Sequence, residues 1–260
     1  MSTMRMSDGC ELFYRLDGDD ALPVLVFSNP HGFTHRLWDV QAEALADRFR
    51  VLRYDNRGHG ASTVPPAPYT LERIARDAQE VIQGLGLKNV NFCGLSIGGM
   101  VGMWLAAHEP EVIGRMVLAN TSAFLAPADH LRSRLAAIEQ GGMAAVVEDI
   151  VERSLSQHFR DANPAAADQC RAMVSAVPPV GYIGGGHAVL NMDLRGCLAA
   201  IHVPVLVIAG CHDNSTPVAM GEYIARSVPD SRMAVLESAH LSNIEQSTDF
   251  NDLLISFFSR

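Results

Sequence analysis

Lysine is nearly missing from this chain: Lys88 is the only one among 20 basic residues, the rest being arginine. That bias carries no functional reading of its own. Cysteine is scarce and unpatterned. Cys10, Cys93, Cys170, Cys197 and Cys211 are odd in number and form no CxxC pair, which argues against a disulfide framework and against a structural zinc site. They read as small, reduced, buried side chains. No run reaches the roughly 18 apolar residues needed to cross a bilayer. Residues 1–20 lack the continuous apolar stretch of a signal peptide. A soluble, cytoplasmic protein with no membrane partner is therefore expected. Positive charge is also in deficit, at 20 basic against 29 acidic residues and a net −9. Such a balance repels phosphate backbones and makes nucleic acid a poor partner. There is no internal repeat or low-complexity tract, and nothing marks a face for self-association, so a homo-oligomer is neither required nor excluded.

What is present is a large core. Apolar residues make up 48% of 260 and charged residues 19%, enough for one α/β unit of this length. Short apolar, β-branched runs recur at 23–28, 49–54, 90–93, 115–119, 204–209 and 232–236. Between them 38–48, 71–85, 97–108 and 219–228 carry apolar residues at helical spacing, and 249–258 closes the chain in the same way. Continuous apolar strands alternating with helices predict a mostly parallel sheet covered on both faces. Residues 10–17 alternate more loosely and read as an antiparallel edge strand.

The alternation breaks between Thr121 and Ile201. Segments 128–140, 142–156 and 163–177 look helical, and the chain then passes through Pro178, Pro179 and the run Gly184–Gly186. Inserted after the sixth strand, these segments read as a helical cap over 123–198, with 1–122 and 199–260 forming the core. A cap is preferred to extra core-covering helices because ligands of open α/β sheets bind at the carboxyl edge of the strands.

Gly94-Leu95-Ser96-Ile97-Gly98 follows one strand directly and opens the next helix. A GxSxG pentapeptide alone is a weak signal, but in a strand–turn–helix setting it marks a nucleophile on a sharp, strained turn whose flanking residues must be small. A serine hydroxyl needs a base. The chain order of such sites is Ser, acid, His, and after Asp213 the sole remaining histidine is His240. Asp213 is the acid, because the other usual location, after the preceding core strand, holds Asn120 and Thr121. Its role is to fix the His240 tautomer and stabilise the imidazolium. Cys211, His212 and Asp213 do not suggest a metal, since adjacent side chains point apart and no second ligand pair is evident. No metal and no cofactor are expected.

The oxyanion hole needs two backbone donors. One is the amide of Ile97. The other lies in the loop after strand 23–28, where His31-Gly32-Phe33 matches an HG-x pattern literally and nominates Phe33. The strand–GLSIG–helix setting resembles the α/β-hydrolases, however, and that resemblance implies an HG histidine nine positions before a Trp on the next helix, a register that from Trp38 falls on Asn29. His31 then becomes the donor. Each donor is worth about 3 kcal/mol in the transition state. The turn Asp55–Gly60 reads as structural, with Arg57 bonding carbonyls.

Taken together, SNPHGFTHRLWD, FRVLRYDNRGHGAS, NFCGLSIGGMVGMWLA, AGCHDNSTP, AHLSNIE and GYIGGGHAVLNMDLR resemble the α/β-hydrolases, and among them the 3-oxoadipate enol-lactonases of aromatic catabolism. The resemblance spans essentially the whole chain. It implies lactone opening without metal or organic cofactor, with Ser96, Asp213 and His240 on the catalytic positions. Two departures stand out. Asn29-Pro30-His31-Gly32-Phe33 replaces a segment usually read as NSLGT, and Ile-Gly-Gly-Gly-His follows Tyr182 where the family tends to carry Ala and Cys. Phe33, Trp38, Leu95, Arg132, Tyr182 and Leu241 are the candidate pocket residues. An anionic lactone calls for a positive partner, which Arg132, Arg134, Arg153 or Arg171 could supply. The rival readings are a short-chain carboxylesterase, a cofactor-free C–C hydrolase or perhydrolase, and a slow-turnover lactone receptor.

Overall fold

In the computed structural model, which describes residues 2–259, an eight-stranded sheet runs in the order β1-β2-β4-β3-β5-β6-β7-β8. The strands are β1 (Ser2–Arg5), β2 (Glu11–Asp17), β3 (Val24–Ser28), β4 (Arg50–Tyr54), β5 (Val90–Leu95), β6 (Ile113–Ala119), β7 (Val205–Gly210) and β8 (Ser231–Leu236). β3 to β8 are parallel to one another, while β2 is antiparallel to both β1 and β4. β2 is therefore not the edge. Ser2–Arg5 takes that place, a strand too short and polar to stand out in the sequence.

The central strands are continuous apolar runs because helices pack over them. Every residue of β7 is buried. Helices α1 (Asp39–Ala44), α2 (Leu71–Gly84) and α3 (Ile97–His108) lie in the first half of the chain, with α9 (Val218–Ser227), α10 (Ser242–Glu245) and α11 (Ser247–Phe258) near its end. α3 is apolar all round and buried from Ile97 to Ala106, because it packs against β3, β5 and β6 as well as α2. α2 begins where the Thr70 hydroxyl accepts the Arg73 amide at 3.1 Å. Trp38 is fully buried and stacks on Phe27, ring centroids 4.5 Å apart. Among the described residues no helix is long and apolar enough to cross a membrane.

Between β6 and β7 lie α4 (Asp129–Gly141), α5 (Val147–Ser154), α6 (Gln157–Ala162), α7 (Pro164–Ser175) and α8 (Pro179–Leu190). α8 is a helix despite Gly181 and the run Gly184–Gly186. Each glycine forgoes about 1 kcal/mol of helix preference relative to alanine. Tertiary contact is what requires them. A Cβ at Gly181 would sit 2.0 Å from the Gly58 carbonyl oxygen, and one at Gly184 would sit 2.6 Å from the Tyr69 ring. At Gly185 it would meet the His31 ring at 2.9 Å, and at Gly186 the Leu135 side chain at 2.6 Å. Burial against these partners holds the helix where intrinsic preference does not.

Among the described residues the Arg57 side chain bonds carboxylates and not carbonyls. Its guanidinium pairs with Asp77 through contacts of 2.6 and 2.7 Å and reaches Asp8 at 2.8 Å. Arg57 and Asp77 are both buried, and two opposite charges removed from water must find each other. The pair locks the turn after β4 to α2.

Candidate active site

All the elements of the site hang from the carboxyl ends of parallel strands. Ser96 follows β5, Asp213 follows β7, His240 follows β8 and His31 follows β3. Ser96 has φ 56° and ψ −119°, left-handed backbone that costs a non-glycine residue free energy and exposes its side chain. The turn is closed by its neighbours. A Cβ at Gly94 would strike the Gly98 carbonyl oxygen at 2.2 Å, and one at Gly98 would strike that of Ser28 at the same distance. The Thr121 hydroxyl donates to the Ser96 carbonyl at 2.7 Å. Ser96 Oγ makes no hydrogen bond among the described residues.

His240 Nδ1 donates to Asp213 Oδ2 at 2.8 Å, which leaves Nε2 as the bare acceptor. Ser96 and His240 line the same cavity. Asp213 is surrounded by donors. Its Oδ1 accepts the amides of Ser215 and Thr216 at 2.8 and 3.0 Å, and its Oδ2 also accepts Asn120 Nδ2 at 3.0 Å and the Thr216 hydroxyl at 2.8 Å. Burial alone would raise this carboxyl, but the His240 charge and hydrogen bond, the Thr216 amide and Asn120 outweigh it and hold it down at about 2. A carboxyl lowered on folding stabilises the fold above its ordinary value of 3.8, and that stability is lost as pH falls toward 2. The contribution is about 2 kcal/mol. Unfolding in denaturant should therefore show the gap between wild type and Asp213→Asn narrowing between about pH 4 and pH 2. A gap of constant size across that window would contradict the assignment.

Asn120, at φ 44°, occupies the position that offered no carboxylate in the sequence. It is a brace: Nδ2 donates to Asp213 and to the Ala239 carbonyl at 3.1 Å, and Oδ1 accepts the Ser242 hydroxyl at 2.5 Å. The His240 loop is held further by Glu245, which accepts the Ala239 amide at 2.9 Å and the Ser156 amide at 3.0 Å. Neither Asn120 nor Glu245 carries a sequence signature, because their partners come from distant segments.

Among the loop amides after β3, that of Phe33 donates to the Pro30 carbonyl at 3.3 Å and that of Gly32 to His59 Nε2 at 3.1 Å. The His31 amide has no partner among the described residues. The Ile97 amide, at the start of α3, lies beyond the reach of helical bonding.

The cavity has a volume of about 330 Å³. His31, Phe33 and Tyr182 are in its wall, as are Met100, Leu131, Ile150, Val189 and Met220. The other pocket candidates are not. Trp38 is fully buried beneath Phe27, Leu95 is consumed in the β5 core, and Leu241 is buried with its amide on the Ser154 carbonyl at 2.9 Å. Arg132 is exposed on the outer face of α4. Two positions on, Arg134 is in the wall, paired with Asp149 at 2.9 Å and donating to the Tyr182 hydroxyl at 3.3 Å. Arg153 is in the wall too. It donates to the Asn214 carbonyl at 3.1 Å, and its Nε is buried with no partner among the described residues. Burial and the Arg134 charge lower its affinity for its proton, against the opposing pull of Asp149 and Asp213. Arg171 is spent on Glu148 and Asp168 at the surface.

One cluster lies outside the cavity. Cys211 and His212 bring their ligand atoms within 4.8 Å of Glu237, all three being exposed. Glu237 comes from the end of β8, so neighbours in sequence converge on a partner from the next strand. His212 Nε2 hydrogen-bonds the Glu237 carboxylate at 2.5 Å on the surface.

This architecture is that of the α/β-hydrolase fold, whose family profile matches residues 24–247; the chain belongs to that family and is a hydrolase. Among its relatives, 3-oxoadipate enol-lactonase 2 of Acinetobacter baylyi is 32% identical over 249 residues, covering 96% of this chain and 93% of that protein. The crystal structure of a hydrolase from Pseudomonas aeruginosa PA01 superposes with a TM-score of 0.96 at 43% identity, covering 100% of this chain and 98% of the other. That of the enol-lactonase from Burkholderia xenovorans LB400 gives 0.95 at 34% identity, over 97% and 98% of the two chains.

Proposed function

We propose that the protein opens a small anionic lactone of the 3-oxoadipate enol-lactone kind through an acyl-enzyme on Ser96. The observation that carries the substrate is the pair of guanidinium groups in the cavity wall. Asp149 pairs with Arg134, while Arg153, though within the field of Asp149 and Asp213, forms no ion pair among the described residues. A substrate carboxylate supplies the missing charge, and an arginine fork recognises it bidentately. The apolar side chains opposite suit the carbon skeleton of the acyl part.

In the first half-reaction Ser96 Oγ attacks the lactone carbonyl as His240 Nε2 takes its proton. The amides of His31 and Ile97 hold the oxyanion, and Asp213 stabilises the imidazolium. Collapse breaks the ring C–O bond. His240 returns its proton to the leaving enol oxygen, which remains tethered to the acyl group. Water then attacks the acyl carbonyl as His240 takes its proton; collapse breaks the ester bond to Ser96, His240 returns the proton to Ser96 Oγ, and the open acid is released. No step calls for a metal or a cofactor.

The test compares kcat/KM for 3-oxoadipate enol-lactone and p-nitrophenyl butyrate on one preparation. A large preference for the lactone is expected, and Arg153→Ala should erase it by raising KM for the lactone while leaving the uncharged ester almost untouched. A preference for the butyrate in wild type would make the protein a short-chain carboxylesterase, with His31 and the Gly184–Gly186 run having recut the pocket.

A further inference from the structure

The loop that would supply the oxyanion donor is anchored by α8, by β4 and by the turn after β4: His31 Nε2 donates to the Tyr182 carbonyl at 2.8 Å. Asn29 Nδ2 donates to the Tyr54 carbonyl at 2.5 Å, and the His35 amide donates to Asp55 Oδ1 at 2.7 Å. His59 makes a further link, to the Gly32 amide. Its Nδ1–H donates to the Arg57 carbonyl at 3.1 Å, so Nε2 is the bare acceptor that takes the Gly32 amide at 3.1 Å. The ring is buried, and that burial lowers its proton affinity against the opposing pull of the Arg57 carbonyl and Asp55. It therefore stays neutral and keeps its acceptor. The Arg57 carbonyl is in turn fixed by the ion pair of that residue with Asp77.

We infer that His59 is the positioning residue of the oxyanion hole: by engaging the Gly32 amide, and with Phe33 bonded to Pro30, it leaves the His31 amide as the one directed at the reacting oxygen. The inference rests on the acyl-enzyme reading above. Gly32, at φ +91°, has the backbone freedom to turn its peptide elsewhere when the acceptor is removed. Without His59 the buried Gly32 amide seeks another partner, and the preceding peptide shifts with it. Displacing a donor by even 1 Å weakens its grip on an oxyanion far more than on a neutral ground-state carbonyl.

The experiment uses His59→Leu, which lacks the acceptor, and His59→Gln, whose Oε1 reaches the position of Nε2. With p-nitrophenyl butyrate, His59→Leu should lower kcat roughly 10- to 100-fold with little change in KM. The affinity for phenylboronic acid, whose tetrahedral adduct mimics the oxyanion, should fall in parallel. His59→Gln should recover most of both. Should His59→Leu not fold, His59→Asn, whose acceptor falls short, takes its place against His59→Gln. Unchanged kcat in the acceptor-free variant overturns the inference. So does a loss confined to KM or Tm, or one that His59→Gln fails to recover. Phosphonate labelling separates the two ideas. A wild type that is not labelled at Ser96 sinks the acyl-enzyme reading and takes this one with it. A His59→Leu protein labelled at Ser96, only more slowly, is the outcome expected of a misplaced donor.

Discussion

Ser96→Ala should lower kcat by roughly 10⁶-fold while leaving KM and Tm almost unchanged, if Ser96, His240 and Asp213 act as one unit. The size follows from covalent catalysis, since without the hydroxyl neither the acyl-enzyme nor its hydrolysis can occur. What remains is the rate that the oxyanion donors and substrate binding give to direct attack by water. Stability should hold because alanine meets the same φ of 56° as serine and Ser96 Oγ holds no hydrogen bond among the described residues. Steady-state kinetics with thermal melts on both proteins check the pair of expectations. Retention of most of the activity would remove Ser96 from the mechanism.

Asp213→Asn should cost roughly 10⁴-fold in kcat, the scale seen when a triad acid becomes an amide and the histidine is forced into the wrong tautomer. The surroundings of Asp213 make the loss hard to evade. Its two oxygens face only donors: the Ser215 and Thr216 amides, the Thr216 hydroxyl, Asn120 Nδ2 and His240 Nδ1. An asparagine that keeps its oxygen on the amides turns its NH2 toward both Asn120 and His240. Asn120 cannot flip to receive it without surrendering its bonds to Ala239 and Ser242. His240 must then accept at Nδ1 and present Nε2–H to Ser96, so it can no longer act as a base. A pH–rate profile that keeps its shape at near wild-type height would contradict this account.

The parts legible in the sequence were those with strong local causes. Continuous β-branched runs announced the central strands, and the Gly94–Gly98 pentapeptide needed only its place between a strand and a helix. The order Ser, acid, His left a single histidine to choose. The parts that were not legible depend on distant partners. β1 exists because β2 offers it a ladder, and Arg57 bonds Asp77 because both are buried together. Trp38, Leu95 and Leu241 sit beside site residues in the chain but are drawn into the core, where an apolar side chain gains more than at a cavity wall. Arg132 and Arg134 differ by two positions on one helix, far enough to turn one outward and the other inward. Asn120 lacks the charge that marks a catalytic acid in a sequence, yet its amide offers both a donor and an acceptor, which a brace between Asp213 and Ser242 requires.

The glycines of α8 bear on how this enzyme could change its substrate. A single added methyl at Gly181, Gly184, Gly185 or Gly186 would collide with Gly58, Tyr69, His31 or Leu135. That side of the pocket is therefore closed to gradual variation, since nearly every first step away from glycine disturbs the core or the loop beside Ser96. Divergence in specificity, natural or in a mutant library, has more room in α4, α5 and the segment 125–128, whose side chains reach the cavity. A library confined to those positions should yield functional variants far more often than one of equal size aimed at α8.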